Sequence, residues 1–360
     1  MAGGHKLRVA LVGCGRMGTF TSDKLRRGLP VGWLPLCHAE AIQAHPDLEL
    51  CALCDTDRQA LERAGAALGV EALYRDYGEM ISRERPDILS IATRTPGRCQ
   101  IIRFAAEQGV RGIHSEKPLA QSLGECLATL EVLERRRVAF TYGTYRRYMA
   151  IYRQARDFVG QGKIGELREV VVEMGPTMLL WNHPHSVDLI LFYAQGRRPE
   201  LVWADCELDP QACQGYTLVD QDPVVRQGYI RFEDGLIGSL SSIKGLNLRL
   251  GGSLGNLAVE GDGSRLVLYQ PHYPETGYLL NRRGYLPDPT APSGTQVAFQ
   301  ELAAAVQGQG DTSLGLEEVE WNTRLLLSLA YSALKGMVPV DPAELPTDFR
   351  VTGRFGQLFA

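Results

Sequence analysis

The chain has 360 residues, 44% of them hydrophobic and 22% charged. It can bury a sizeable core but exceeds the usual size of one domain, so two are expected. Its 38 basic and 42 acidic residues leave a net charge of −4, which gives no electrostatic reason to expect nucleic acid or an anionic membrane as partner. A small ligand is expected instead. Eight cysteines are too few for a disulfide scaffold. Cys14, Cys51, Cys54 and Cys126 fall in apolar segments, where free thiols pack as small hydrophobes, and a reducing, cytoplasmic setting is expected. Cys51 and Cys54 form a Cys-x-x-Cys pair, but on a predicted buried strand, so no metal site is expected. No apolar run approaches the roughly 18 residues of a membrane span. The residues from Met1 lead into a short strand and not a signal-peptide core, so a soluble, non-exported protein is expected.

From Leu7 to about Thr144, short β-branched runs alternate with segments of helical period, the pattern of a parallel sheet covered by helices. Strands are predicted at Leu7–Val12, Leu48–Asp55, Asp87–Thr93, Val110–Ser115 and Val138–Thr144. Thr56 is the expected cap of a helix whose Leu61, Ala64 and Leu68 share a face and which Gly69 ends. Ser122 and Glu125 read as a capping box ahead of the stripe Leu123, Leu127 and Leu130, and Arg135, Arg136 and Arg137 suit the helix C-terminus. This half reads as a doubly wound α/β domain over 1–144.

After Tyr148 the pattern changes to a helix reaching about Gly160, a turn at Gly162–Glu166, a strand at Arg168–Met174 and a helix beginning near His185. Strands follow at Gly228–Phe232, Leu236–Ile243 and Leu257–Val259, the first two joined by the hairpin signal Glu233-Asp234-Gly235. Pro271–Thr295 reads as a long loop, with helices at Thr295–Val306 and Leu316–Leu334 beyond it. The expectation for 145–360 is an α+β domain with an open, mostly antiparallel sheet. One face of that sheet should remain uncovered by helices.

Gly13-Cys14-Gly15-Arg16-Met17-Gly18 follows a strand and opens a helix, the context that a dinucleotide fingerprint requires. Gly13 permits the tight turn, Gly15 lets the backbone approach a pyrophosphate and Gly18 lets helix and strand pack closely. The helix N-terminus beside Arg16 and Met17 supplies donors and positive dipole for phosphates. Asp55, at the end of the second strand, is the expected ribose ligand, and its charge favours NAD over NADP, although Arg58 leaves NADP open. Helix capping is the alternative role for Asp55. The stretch from Gly18 to Asp55 far exceeds the roughly 20 residues usual for this motif. Its surplus lies in Ser22–Cys37, whose Gly28-Leu29-Pro30-Val31-Gly32-Trp33-Leu34-Pro35 cannot be helix interior. An insertion just after the first helical turn is expected.

Five motifs converge on one resemblance: the glycine fingerprint, Ser115-Glu116-Lys117-Pro118-Leu119, Tyr145-Arg146-Arg147-Tyr148, Gly165-Glu166-Leu167, and the His-x-x-Asp of His185–Asp188. With them the chain resembles the glucose–fructose oxidoreductase/inositol dehydrogenase (Gfo/Idh/MocA) family over nearly its whole length. The resemblance implies a Rossmann domain followed by an open-sheet domain, NAD(P) between them, and hydride exchange with a sugar, cyclitol or related polyol. It places Thr93 and Glu116 at the cofactor and Lys117 at both cofactor and substrate. Chemistry agrees with that placement. Oxidising an alcohol needs a base for the hydroxyl proton and a cation for the developing alkoxide, and Lys117 fits the second need.

The second half of the implied site is Trp181-Asn182-His183-Pro184-His185-Ser186-Val187-Asp188. In the family pattern Asp-x-x-x-His-x-x-Asp, the histidine accepts or relays the proton, and the last aspartate binds substrate or orients the histidine. His185 and Asp188 fall on that pattern. The first aspartate is replaced by Trp181, so its supporting role is empty or passes to Asn182 or His183; Trp181 offers a stacking face for substrate. Tyr145 and Arg147 are substrate candidates, with interdomain packing as the alternative. Arg94 and Arg98 suggest an anionic substituent on the substrate or a solvated loop. The first functional reading is therefore an NAD(P)-dependent dehydrogenase with Lys117 and His185 in proton transfer. An NAD-dependent glycosidase of the same fold and a non-catalytic nucleotide-sensing regulator are the competing readings. A homodimer or homotetramer is expected.

Overall fold

The structure, a computed structural model, describes residues 6–272 and 280–353. Strands and helices alternate through the first half: β1 (Leu7–Val12), α1 (Asp23–Gly28), α2 (His38–Gln43), β2 (Leu48–Cys54), α3 (Arg58–Leu68), β3 (Leu73–Tyr74), α4 (Tyr77–Glu84), β4 (Ile88–Ile91), α5 (Arg98–Glu107), β5 (Gly112–Ser115), α6 (Leu123–Arg136) and β6 (Ala139–Tyr142). All six strands pair in parallel in the order β3-β2-β1-β4-β5-β6. The winding reverses between β1 and β4, and such a switch point leaves a crevice above the strand ends where ligands bind. The sheet is the doubly wound one read from the sequence. The sequence reading missed β3 and α4, two and eight residues long, too short to carry a clear period. Asp57, not Thr56, caps α3, its carboxylate accepting from the Gln59 and Ala60 amides, and Gly69 ends that helix at φ 69°.

The helix after β1 is cut in two. One turn follows Gly15, with the Thr19 amide donating to the Gly15 carbonyl at 2.9 Å. The chain then leaves the helix and returns to the same ladder, where the amides of His38 and Ala39 donate to the carbonyls of Met17 and Gly18, each at 2.9 Å. The insertion expected at Ser22–Cys37 thus splices out of the helix without breaking its hydrogen-bond sequence. It packs on the other domain: the Trp33 indole N–H donates to the Asp262 carbonyl at 2.8 Å, and the Arg146 guanidinium lies 4.9 Å from the Trp33 ring. The hydroxyls of Ser293 and Thr295 donate to the carbonyls of Pro35 and Leu36.

A 3₁₀ turn at Tyr145–Tyr148 opens the second half. It continues through α7 (Ala150–Gly160), β7 (Leu167–Met174), β8 (Thr177–Met178), α8 (Leu179–Ala194), β9 (Pro199–Glu207), β10 (Cys213–Gln214), β11 (Leu218–Val219), β12 (Val224–Phe232), β13 (Ile237–Leu240), β14 (Lys244–Gly252), β15 (Asn256–Glu260), β16 (Arg265–Pro271), β17 (Leu280–Tyr285), α9 (Gly294–Val306), α10 (Leu316–Leu334) and β18 (Arg350–Val351). Nine of these strands form one sheet, antiparallel except where β13 runs parallel to β7. Val170, Val172, Leu240, Leu248 and Leu250 face a core shared with α8 and α10.

Three expectations need correction. Helix α8 begins at Leu179, a turn and a half before His185, and carries Pro184 inside it. Its start is fixed by Asp222, which accepts from the Leu180 and Trp181 amides at 2.6 and 3.1 Å, a cap from another part of the chain that local sequence cannot announce. Part of the Pro271–Thr295 loop is strand β17, paired with β16; its Asn281-Arg282-Arg283 run has no alternation to read. The rest of that loop includes 273–279, outside the described residues. Finally, α9 does not stay with the second half: Phe299, Leu302 and Ala303 pack with Val9, Ile42 and Ile88 of the first sheet.

The contacts of Trp33 cross between the two halves, so Trp33→Ala should cost about 3 kcal/mol of stability, read as a lower denaturant midpoint with unchanged secondary structure. An unchanged midpoint would show that the insertion does not brace the domains.

Candidate active site

The glycine turn is shaped for a phosphate. Gly13 sits at φ 102°, and a Cβ there would lie 2.7 Å from the Ala92 carbonyl carbon. A Cβ on Gly18 would lie 1.9 Å from the Gly13 carbonyl oxygen, so neither position tolerates a side chain. Gly15 is different: nothing lies within 4 Å of the place its Cβ would take, and that open space faces solvent. The amides of Gly15, Arg16 and Met17 donate to no acceptor among the described residues. Three free N–H groups around open space are what a diphosphate needs. At the end of β4 the buried Thr93 hydroxyl also lacks a partner. These features fit a dinucleotide.

Asp55 holds this turn from beneath. One carboxylate oxygen accepts from the Cys14 amide at 2.7 Å and the other from Asp57 at 2.8 Å. Asp55 does not cap α3 itself but braces its N-cap residue, and each oxygen retains a lone pair with which a ribose role is compatible.

Glu116 and Lys117 follow β5. The Glu116 carboxyl is buried, and burial alone would raise its pKa. The hydrogen bond and charge of His38, the charge of Lys117 and the hydrogen bond from Tyr145 instead bring it well below the carboxylate range. The Tyr145 hydroxyl donates to it at 2.6 Å, and His38 Nε2 lies 3.3 Å away. His114 Nε2 joins the same Tyr145 oxygen at 3.2 Å. This network engages the hydroxyl of Tyr145, which is only 2% exposed, and its contacts match the interdomain-packing alternative. His38 and His114 are site-supporting residues that the sequence reading missed. His38 lies just past the insertion, where its link to the glycine helix is hidden.

Lys117 is partly exposed and reaches across the domain junction, its Nζ donating to the Trp181 carbonyl at 2.5 Å and lying 4.8 Å from the Trp181 ring centroid. The Arg16 guanidinium lies 5.9 Å from the same ring. Burial lowers the lysine to about 8, opposed by Glu116 and Asp222 and reinforced by Arg98 and Arg146. Asp222 is a carboxylate beside Lys117 that sequence reasoning did not find.

Of the two histidines, His185 belongs here. Burial, then the charges of Lys117 and Arg146, push it well below its ordinary value, so it is neutral at pH 7. Its Nδ1 is buried without a partner. His183 turns elsewhere: Nδ1 pairs with the Ser186 hydroxyl at 3.2 Å, and burial lowers it to about 4 with only the Thr177 backbone opposing. Asn182 bonds the Thr177 hydroxyl. Neither replaces the carboxylate missing at Trp181.

Arg147 and Asp188 are not free for substrate. Arg147 Nε donates to Asp188 at 3.0 Å, and its terminal nitrogens reach Glu318; Arg147 is 1% exposed and Asp188 2%. Burial raises Asp188 to about 6 against the pull of Arg147. Of the two readings left open for Arg147, interdomain packing describes its contacts. Arg98 is likewise buried, donating to the carbonyls of Pro118 and Thr93. It ties the ends of β4 and β5 instead of meeting a ligand. Arg94 is exposed.

Sequence comparison matches residues 7–144 to the model described as oxidoreductase family, NAD-binding Rossmann fold (GFO_IDH_MocA). D-apiose dehydrogenase of Paraburkholderia graminis is 36% identical over 119 residues, 32% of each chain. scyllo-Inositol 2-dehydrogenase (NAD(+)) of Bacillus subtilis is 28% identical over 162 residues, 45% of this chain and 42% of that one. The aligned part thus spans about a third to two fifths of these curated relatives. Among solved structures, levoglucosan dehydrogenase in complex with NADH and levoglucosan aligns with TM-score 0.76 at 16% identity, over 94% of this chain and 100% of that one. An Agrobacterium radiobacter oxidoreductase in complex with NAD+, L-tartaric acid and magnesium aligns with TM-score 0.73 at 17% identity, over 95% and 100%. These structures share the two-part fold. Residues 7–144 thus match the NAD-binding Rossmann domain of the Gfo/Idh/MocA oxidoreductase family.

Proposed function

We propose that the protein is an NAD(P)-dependent oxidoreductase acting on a hydroxyl-bearing or keto carbon of a sugar, cyclitol or modified sugar. The observation that carries this reading is Lys117 reaching across the domain junction to the first turn of α8, the helix that holds the neutral His185, beside a glycine turn with free amides. A nicotinamide dinucleotide bound at that turn supplies the hydride acceptor or donor. Gly15, Arg16 and Met17 hold its phosphates, Asp55 its adenosine ribose, and Thr93 and Glu116 the nicotinamide end.

The chain's own residues then divide the proton chemistry. Lys117 is cationic below about pH 8. It donates an N–H to the substrate oxygen and stabilises the negative charge that develops on it. His185, neutral at pH 7, takes the hydroxyl proton on its imidazole. Trp181 offers its ring to the apolar face of a sugar, between Arg16 and Lys117. The outer face of the nine-stranded sheet carries Trp203, Tyr229 and Ile237, all partly exposed, and supports a homo-oligomer, testable by sedimentation.

A screen of polyols, sugars and sugar acids for NADH formation, with the reverse reaction on ketosugars, tests the assignment. Lys117→Ala should lower turnover by on the order of 10²–10⁴ with NAD affinity held within a few-fold; undiminished turnover would remove the lysine from the chemistry. The division of roles also fixes a pH profile. With Lys117 as cation, kcat/KM for oxidation should hold level around neutrality and fall as pH passes about 8. A rate that keeps climbing through that range would make the lysine the base. For the cofactor, Asp55→Ala should weaken NAD binding about tenfold and narrow its advantage over NADP. Wild-type preference for NADP in direct titration would overturn the reading of Asp55.

A further inference from the structure

Helix α8 has an unusual start. Its N-cap, Met178, has no side-chain oxygen to offer, and a helix opens with four amides that need acceptors. The acceptor comes instead from the loop between β11 and β12, where Asp222 takes the Leu180 and Trp181 amides on its two oxygens at 2.6 and 3.1 Å. The other side of the same residue is held by Lys117, whose Nζ donates to the Trp181 carbonyl at 2.5 Å. One peptide unit on each side of Trp181 therefore separates a carboxylate from an ammonium. Both charged groups are partly exposed at the domain junction.

We propose that Asp222 is the positioning carboxylate of this site, fixing the first turn of α8 under Lys117. The proposal rests on the reading of Lys117 as the cation that meets the substrate oxygen. It concerns a residue remote from the Lys117 and His185 motifs, in a loop to which the sequence assigns no chemistry.

Charge accounting around Lys117 shows why one carboxylate matters. The groups facing the lysine are Glu116 beside it, Arg98 from α5, Arg146 from the 3₁₀ turn, His185 from α8 and Arg16 across the Trp181 ring. Two arginines and burial favour the neutral amine; Glu116 and Asp222 oppose them. Glu116 already serves His38 and Tyr145, so Asp222 is the carboxylate whose oxygens meet only backbone amides. Burial raises Asp222 to about 6, with the two amides and Lys117 pulling it back, so it is ionised at neutral pH. Its anion also lies at the positive end of the α8 dipole. Holding the carboxylate there places the Trp181 carbonyl at the lysine. A substrate hydroxyl entering the site exchanges with that carbonyl as the partner of Nζ.

The test reads the lysine directly and needs no substrate. Competitive acetylation of the full-length protein with acetic anhydride across pH, read by mass spectrometry at Lys117, gives its titration midpoint, expected near 8 in the wild type. Asp222→Asn keeps an oxygen for the helix amides but removes the charge, and should move the midpoint down by about one pH unit. Asp222→Glu should restore most of the shift. An unchanged midpoint in a folded Asp222→Asn protein overturns the proposal. Should that variant fail to fold, Lys117→Met provides the reciprocal reading by carbon NMR of the Asp222 carboxyl, which should titrate higher than in the wild type. A carboxyl titration that ignores the lysine overturns the proposal equally. The two layers fail separately: intact turnover in Lys117→Ala removes the catalytic reading and leaves the labelling result standing, whereas an unmoved lysine in Asp222→Asn removes Asp222 alone.

Discussion

A carboxylate buried at the end of a parallel strand must be surrounded by donors, and the Glu116 side chain organises the molecule on that account. His38, Tyr145 and the Lys117 amide each face one of its oxygens. Those three residues come from three structural decisions. His38 is where the interrupted helix resumes after the insertion. Tyr145 opens the turn that carries the chain from one sheet to the other, and Lys117 is the residue that crosses the domain junction. Satisfying one buried charge therefore ties the glycine helix, the end of β5 and the domain switch into a single unit. His114 and Ser90 extend the network, so the cost of burying so many polar groups is met by mutual hydrogen bonds.

The insertion acquires its meaning from that unit. Its two ends lie one hydrogen-bond step apart on the same helix, so in principle any length of chain could be looped out there at small entropic cost. What fixes this one is its far side, where Trp33 meets Asp262 and Arg146. Arg146 in turn grips the Asp262 carboxylate with two nitrogens at 2.6 and 2.9 Å. A bidentate pair under an aromatic ring is a rigid anchor. The segment that leaves the fold beside the phosphate turn is thereby clamped to the hairpin between β15 and β16, and the glycine turn is braced from both domains.

Legibility in the sequence followed the range of each interaction. The glycine turn, five of the six strands of the first sheet, the cap of α6 and the hairpin at Asp234 rest on neighbours within a few positions, and all could be read directly. The start of α8 could not, because its cap is Asp222, more than a helix length away along the chain. The same range effect hid His38 and His114, two histidines with unremarkable local surroundings that become partners only when β1, β4 and β5 lie side by side. It also divided the pair His183 and His185. Spacing makes them equal candidates around Pro184, and only the position of Lys117 separates the one that faces charge from the one that packs against β8.

The arginines make the same point about charge. Four of them, at 94, 98, 146 and 147, cluster in sequence near the site and suggest a positive cleft for an anionic substrate. Three spend that charge internally: Arg98 on the carbonyls that end β4 and β5, Arg146 on Asp262, and Arg147 on Asp188 and Glu318. Each of these guanidinium groups is buried and tied to backbone or carboxylate, and Arg98 Nε has no partner among the described residues. The cations left at the mouth of the site are Lys117, Arg16 and the exposed Arg94. Arg16 stands at the amides that suit a phosphate, and Lys117 stands over Trp181, so on the proposed function the positive charge would be divided between a diphosphate and one substrate oxygen. That distribution fits a neutral polyol at least as well as an acid, because its reactive oxygen becomes negative only as the reaction proceeds.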